Sequence, residues 1–190
     1  MISTSEIAGF GDVFFYDTYT NPAISEVDII TQAGADFTWD FSSLGQDLGL
    51  NFSDTYVPLD STPEFFEVFF GTPFLAGENL SNLALTFDFF DLGFELPVPV
   101  TDENSFQFYR TDDEGFFITG SAAEVEGLPL ISTYENLDRV YSFPLNFEDT
   151  DENSLDFLTV VPSIGAVGQE GTRSYFADGW GELILPGGEA

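Results

Sequence analysis

From Gly34 to Leu44 the chain reads Gly-Ala-Asp-Phe-Thr-Trp-Asp-Phe-Ser-Ser-Leu, and this stretch restricts the fold more than any other. Ala35, Phe37, Trp39 and Phe41 fall on one side, and Asp36, Thr38, Asp40 and Ser42 on the other. Such strict alternation is the signature of a β-strand with one dry and one wet face. Two Phe and a Trp on one face need a covering layer to leave water. The expectation is a β-sandwich in which Trp39 packs in the core.

The remaining chain supports the same class. Residues 10–20 read as a strand ending at Asn21-Pro22, and 24–30 as a weaker one. Another extended segment covers 51–59. Ser61-Thr62-Pro63-Glu64 places a capping hydroxyl before a proline at a helix start, followed by Phe65, Phe66, Val68, Phe69 and Phe70 up to Gly71. One or two helical turns are expected there, covering an end or edge of the sandwich. Alternation from Leu83 to Phe90 predicts a hairpin turning near Asp91 to Gly93. Phe106–Arg110 and Phe116–Gly120 flank the polar turn Thr111-Asp112-Asp113-Glu114-Gly115, a second hairpin. Two extended pieces are expected around Glu135-Asn136 and more strand between 146 and 161. Finally, 172–177 and 180–185 flank Asp178-Gly179, the favoured two-residue hairpin turn. Ten or more short strands imply an all-β fold, an antiparallel β-sandwich or jelly roll, over a single domain at 1–190.

Charge limits the partners. The chain carries 34 Asp and Glu against three Arg, with no Lys and no His, for a formal net charge of −31. Nucleic acids and anionic membranes, which are bound by clustered Lys and Arg, are excluded. Cations, metal ions and neutral glycans fit. With 23 Phe, seven Tyr and two Trp the chain has the rings for a packed core despite the repulsion. Without Cys it makes no disulfide, and no apolar run reaches the roughly 18 residues that would span a bilayer. Met1 to Glu6 lack the basic and apolar regions of a signal peptide, so a mature or engineered start is expected.

Few residues offer chemistry. Glu148 to Asp156 alternates oxygen ligands, and Asp149, Asp151, Asn153 and Asp156 are the candidates for a calcium site. The EF-hand pattern fails there, with Ser154 in place of the glycine and Val160 in place of the bidentate glutamate. Trp180, beside a tight turn, is the ring best placed for ligand stacking. Arg110, Arg139 and Arg173 should each be paired with carboxylates. With no His, Cys or Lys, the usual nucleophile–base pairs are absent. A carboxylate pair about 5 Å or about 6.5–9.5 Å apart would leave glycoside hydrolysis open.

The stretch Gly34 to Leu44, the Ser61-Thr62-Pro63 step, Tyr141-Ser142-Phe143-Pro144-Leu145, Ala177-Asp178-Gly179-Trp180-Gly181 and Leu185-Pro186-Gly187-Gly188 together resemble secreted proteins of Bacteroidota that end in a type IX secretion sorting domain. The resemblance spans most of the chain and implies a removed signal peptide, secretion to the cell surface, and further sorting sequence beyond Ala190. It carries no catalytic residues. The expectation is a non-enzymatic extracellular structural, adhesive or filament-forming module that self-associates or binds other surface proteins. A calcium-dependent glycan-binding module is the alternative, and a carboxylate glycoside hydrolase the third.

Overall fold

A computed structural model describes residues 13–17, 33–40, 42, 51–86, 104–125, 127–161 and 165–184. The chain is all-β with two short helices, as the alternating pattern requires. Eight strands form one open antiparallel sheet in the order β1 (Val13–Asp17), β3 (Asn51–Val57), β4 (Leu83–Thr86), β5 (Phe106–Asp112), β6 (Gly115–Val125), β7 (Leu128–Ser142), β8 (Thr150–Val161) and β9 (Gly165–Phe176). A second, two-stranded sheet joins β2 (Gly34–Asp40) to β10 (Gly179–Ile184). The expected strand at 24–30 and the hairpin turn at 91–93 lie outside the described residues. Among the described residues no helix is long and apolar enough to cross a membrane.

Helix α1 (Glu64–Gly71) forms where the Pro63 boundary meets five apolar residues, and α2 (Pro73–Ala76) follows it. The start differs from expectation. Pro63 is itself the N-cap, its carbonyl accepting from the Phe66 and Glu67 amides at 2.8 and 3.0 Å. The Thr62 hydroxyl turns back to donate to the Leu59 carbonyl, so it caps no helical amide. Glu64 and Glu67 in the first turn complement the positive helix end.

α1 also sits further in than an edge cover. Phe66 and Phe70, one helical turn apart, are fully buried against Ala84, Phe106, Phe108 and Ala122 of β4, β5 and β6. Burying a Phe contributes roughly 1.5–3 kcal/mol, so these rings dominate this side of the sheet. Leu83, Leu85, Tyr109 and Phe116 form a second buried cluster. Strand alternation explains the division, since Leu83 and Leu85 point away from Ala84.

The break expected at Glu135-Asn136 is a register shift within the single long strand β7. The β5–β6 hairpin forms as expected, with Asp112 Oδ1 accepting from the Glu114 and Gly115 amides.

The last hairpin does not form. β9 pairs with β8, and β10 crosses to lie parallel to β2. The glycines explain the choice. A Cβ at Gly181 would sit 1.8 Å from the Phe37 carbonyl oxygen, and one at Gly179 would sit 3.0 Å from the Trp39 ring. Both glycines thus permit close approach to β2 rather than serving a hairpin turn. Trp39 is correspondingly half-buried, stacked obliquely on Phe37 at 5.2 Å, and not sealed in the main core. A two-stranded sheet has too little surface to enclose an indole.

Candidate functional site

The four calcium candidates are not brought together. Asp151, Asn153 and Asp156 lie on β8, whose pairing with β9 runs without a register shift. Asp151 and Asn153 therefore share one face while Asp156 takes the other, about 16 Å along the strand from Asp151. Calcium needs its oxygens 2.3–2.6 Å from the ion, so the set cannot share one. Each side chain is also engaged elsewhere. Asp149 Oδ2 accepts from the Asn146 amide and side chain at 2.7 and 3.0 Å. Asp151 receives both arms of Arg139 at 2.7 and 2.9 Å. Asn153 Nδ2 donates to the Leu137 carbonyl, and Asp156 accepts from Asn136 Nδ2 at 2.6 Å. No other group of three acids positioned for a metal occurs among the described residues.

The three arginines are paired as expected. Arg173 of β9 reaches across β8 to hold Asp138 of β7 at 2.5 and 2.7 Å, and Asp138 is buried. The hydrogen bonds that Arg173 donates to the Asp138 carboxylate raise the Arg173 pKa, so its charge is secure. Arg110 meets Asp112 at 2.9 Å and lies 4.6 Å over the Phe117 ring.

Two concavities stand out. One, of about 460 Å³, is lined by Glu135, Asp156, Phe157 and Glu170 on an exposed part of the β7–β9 surface. Glu135 and Glu170, which line it, are both exposed to solvent. Among the described residues the buried carboxylate is Asp138, and Arg173 occupies it.

The other, of about 440 Å³, lies between the turn Leu145-Asn146-Phe147 and the link Ala177-Asp178-Gly179-Trp180. Backbone bonds fix both walls. The Glu148 amide donates to the Ala177 carbonyl at 2.7 Å, and the Ala177 amide donates to the Asp149 carbonyl at 2.9 Å. The Asp178 carbonyl accepts from Gly34 at 2.8 Å, anchoring the link to β2. Trp180 is 51 % exposed and Phe147 39 % exposed. Trp180 was legible as a rim ring. Phe147 was not, because one ring in an acidic turn carries no periodic signal.

No protein-family model, no curated protein and no solved structure matches this chain.

Proposed function

We propose that this protein is a non-catalytic extracellular structural module that associates with further copies of itself through the open edge of its large sheet. The observation that supports this is β9. It is twelve residues long, ends the strand order among the described residues, and is exposed or half-buried at every position whose burial is described. Such an edge presents a row of unpaired amides and carbonyls. Natural proteins usually protect an edge of this kind with Pro, Lys or repeated charge. β9 has only Glu170 and Arg173, so its formal charge balances within a chain of net −31. Leu158 and Val160 on the neighbouring β8, and Phe176 at the end of β9 itself, add exposed apolar surface. Two copies pairing here meet across a neutral seam while their acids stay solvated. The extracellular setting rests on the resemblance of the two tryptophan motifs.

Association should need salt, because each partner is strongly anionic. At about 0.15 M the Debye length is about 8 Å, short enough to mask repulsion beyond the seam. Light scattering across salt concentrations is the test, with Gly171→Pro and Thr172→Pro as probes. Neighbouring amides of a strand point in opposite directions, so one of the two faces β8 and the other the open edge. The outward-facing substitution should abolish association while the fold persists by circular dichroism. A monomer at every salt concentration, or association unchanged in both folded variants, overturns the proposal.

A further inference from the structure

The cleft beside Trp180 has a second property, set by which hydrogen-bonding groups its lining leaves free. The Asn146 side-chain amide is already donating, to the Pro144 carbonyl at 3.3 Å and to Asp149 at 3.0 Å, which leaves its oxygen as an acceptor. Asp178 brings an exposed carboxylate. Phe147 and Trp180 supply ring faces, and the Trp180 indole is the remaining side-chain donor. Rings and acceptors with almost no donors suit a ligand that is flat, apolar on its faces and rich in N–H groups. A saccharide, whose hydroxyls need donors and acceptors in equal measure, suits it less.

We infer that this cleft binds the guanidinium of an arginine side chain presented by a basic peptide partner. The guanidinium stacks on Trp180, the best of the aromatic faces for a cation, and its N–H fork meets the Asp178 carboxylate. The field of a chain with net charge −31 draws such a partner in. The occupant is not a second copy of this chain. Its three arginines are held by Asp112, Asp151 and Asp138, and it has no lysine or histidine. A volume of about 440 Å³ accommodates one long side chain and its neighbouring peptide groups.

The test is an NMR titration that follows the indole N–H resonance of Trp180. The probes are a blocked arginine tripeptide, the same peptide with citrulline in place of arginine, and a neutral disaccharide. Citrulline keeps the shape and loses the charge. The arginine peptide should shift the resonance saturably, and the citrulline peptide should bind at least tenfold more weakly. Asp178→Asn and, read on backbone amides of residues 145–147, Trp180→Ala should each weaken arginine binding at least tenfold in a chain whose spectrum otherwise stays folded. Glu135→Gln, in the other concavity, should leave affinity unchanged. Equal binding of the citrulline peptide, equal weakening by Glu135→Gln and Asp178→Asn, or a response to the disaccharide alone would each overturn the assignment.

Discussion

The ring of Phe70 lies nearly parallel to that of Phe108, with centroids 3.9 Å apart and planes inclined by 13°. The stack exists because residue 120 has no side chain. A Cβ there would come within 2.6 Å of the Phe70 ring and 2.7 Å of the Ser132 carbonyl oxygen. Gly120→Ala should therefore cost about 1–3 kcal/mol through overpacking, and Phe70→Ala about 3–5 kcal/mol through the cavity it leaves. In the double variant the ring clash is gone while the Ser132 contact persists, so the two costs should sum to less than additivity. Urea unfolding of the four proteins measures the coupling, and strict additivity would show that the ring does not rest on residue 120.

Arg173 and Asp138 form the most buried ion pair among the described residues, with the carboxylate 4 % exposed and the arginine 40 %. Arg173→Met would leave a buried, uncompensated charge and should cost about 3–5 kcal/mol. Arg173→Met combined with Asp138→Leu should recover most of that loss, because removing both members also removes the desolvation cost. Arg139→Met is the comparison. Its pair with Asp151 is more open at the carboxylate, 18 % exposed, and the loss should be nearer about 1 kcal/mol. Midpoints of urea denaturation decide the order, and equal losses at the two arginines would contradict it.

The hairpin of Phe106–Asp112 and Gly115–Val125 was legible from the Asp-rich turn between two ring-bearing segments, although the second strand is buried on both faces and does not alternate. Partner choice was not. Ala177-Asp178-Gly179-Trp180 carries every local sign of a hairpin, yet β10 pairs with β2, over 130 residues earlier. The glycines serve a close approach that can be recognised only once the opposing backbone is known. Spacing also misled at Asp149 to Asp156, since alternating acids converge in a loop but diverge on a strand. The Arg partners were expected as a class, but the reach of Arg173 across β8 depends on sheet order. The cleft beside Trp180 combines residues from two distant segments, which local spacing does not reveal.

Burial, reinforced by the nearby Asp138 charge and partly offset by Arg173, raises the pKa of Tyr134 to about 12. The folded value lies above the unfolded value of about 10, so the unfolded chain releases this proton first. The contribution to stability is fully present below pH 10 and is lost as pH rises through 10 toward 12, at up to about 1.4 kcal/mol per pH unit. Tyr134→Phe should flatten that part of the alkaline stability curve and leave the slope near neutrality unchanged. Isothermal urea titrations at several alkaline pH values test this, and an unaltered slope would assign the loss to other groups.

With 34 acids against three arginines, repulsion should be strongest in the compact state and weaker in the expanded chain. Added salt should therefore raise the melting temperature steeply below about 0.1 M, where the Debye length exceeds about 10 Å, and more gradually above it. Divalent ions should act at lower concentration than sodium. Asp149, Asp151, Asn153 and Asp156 do not converge, and each already has a protein partner. Calcium and magnesium should consequently stabilise alike at equal concentration, with no saturation at one equivalent. A melting temperature that rises with calcium and levels off at a fixed stoichiometry, while magnesium does little, would instead place a specific calcium site on this chain.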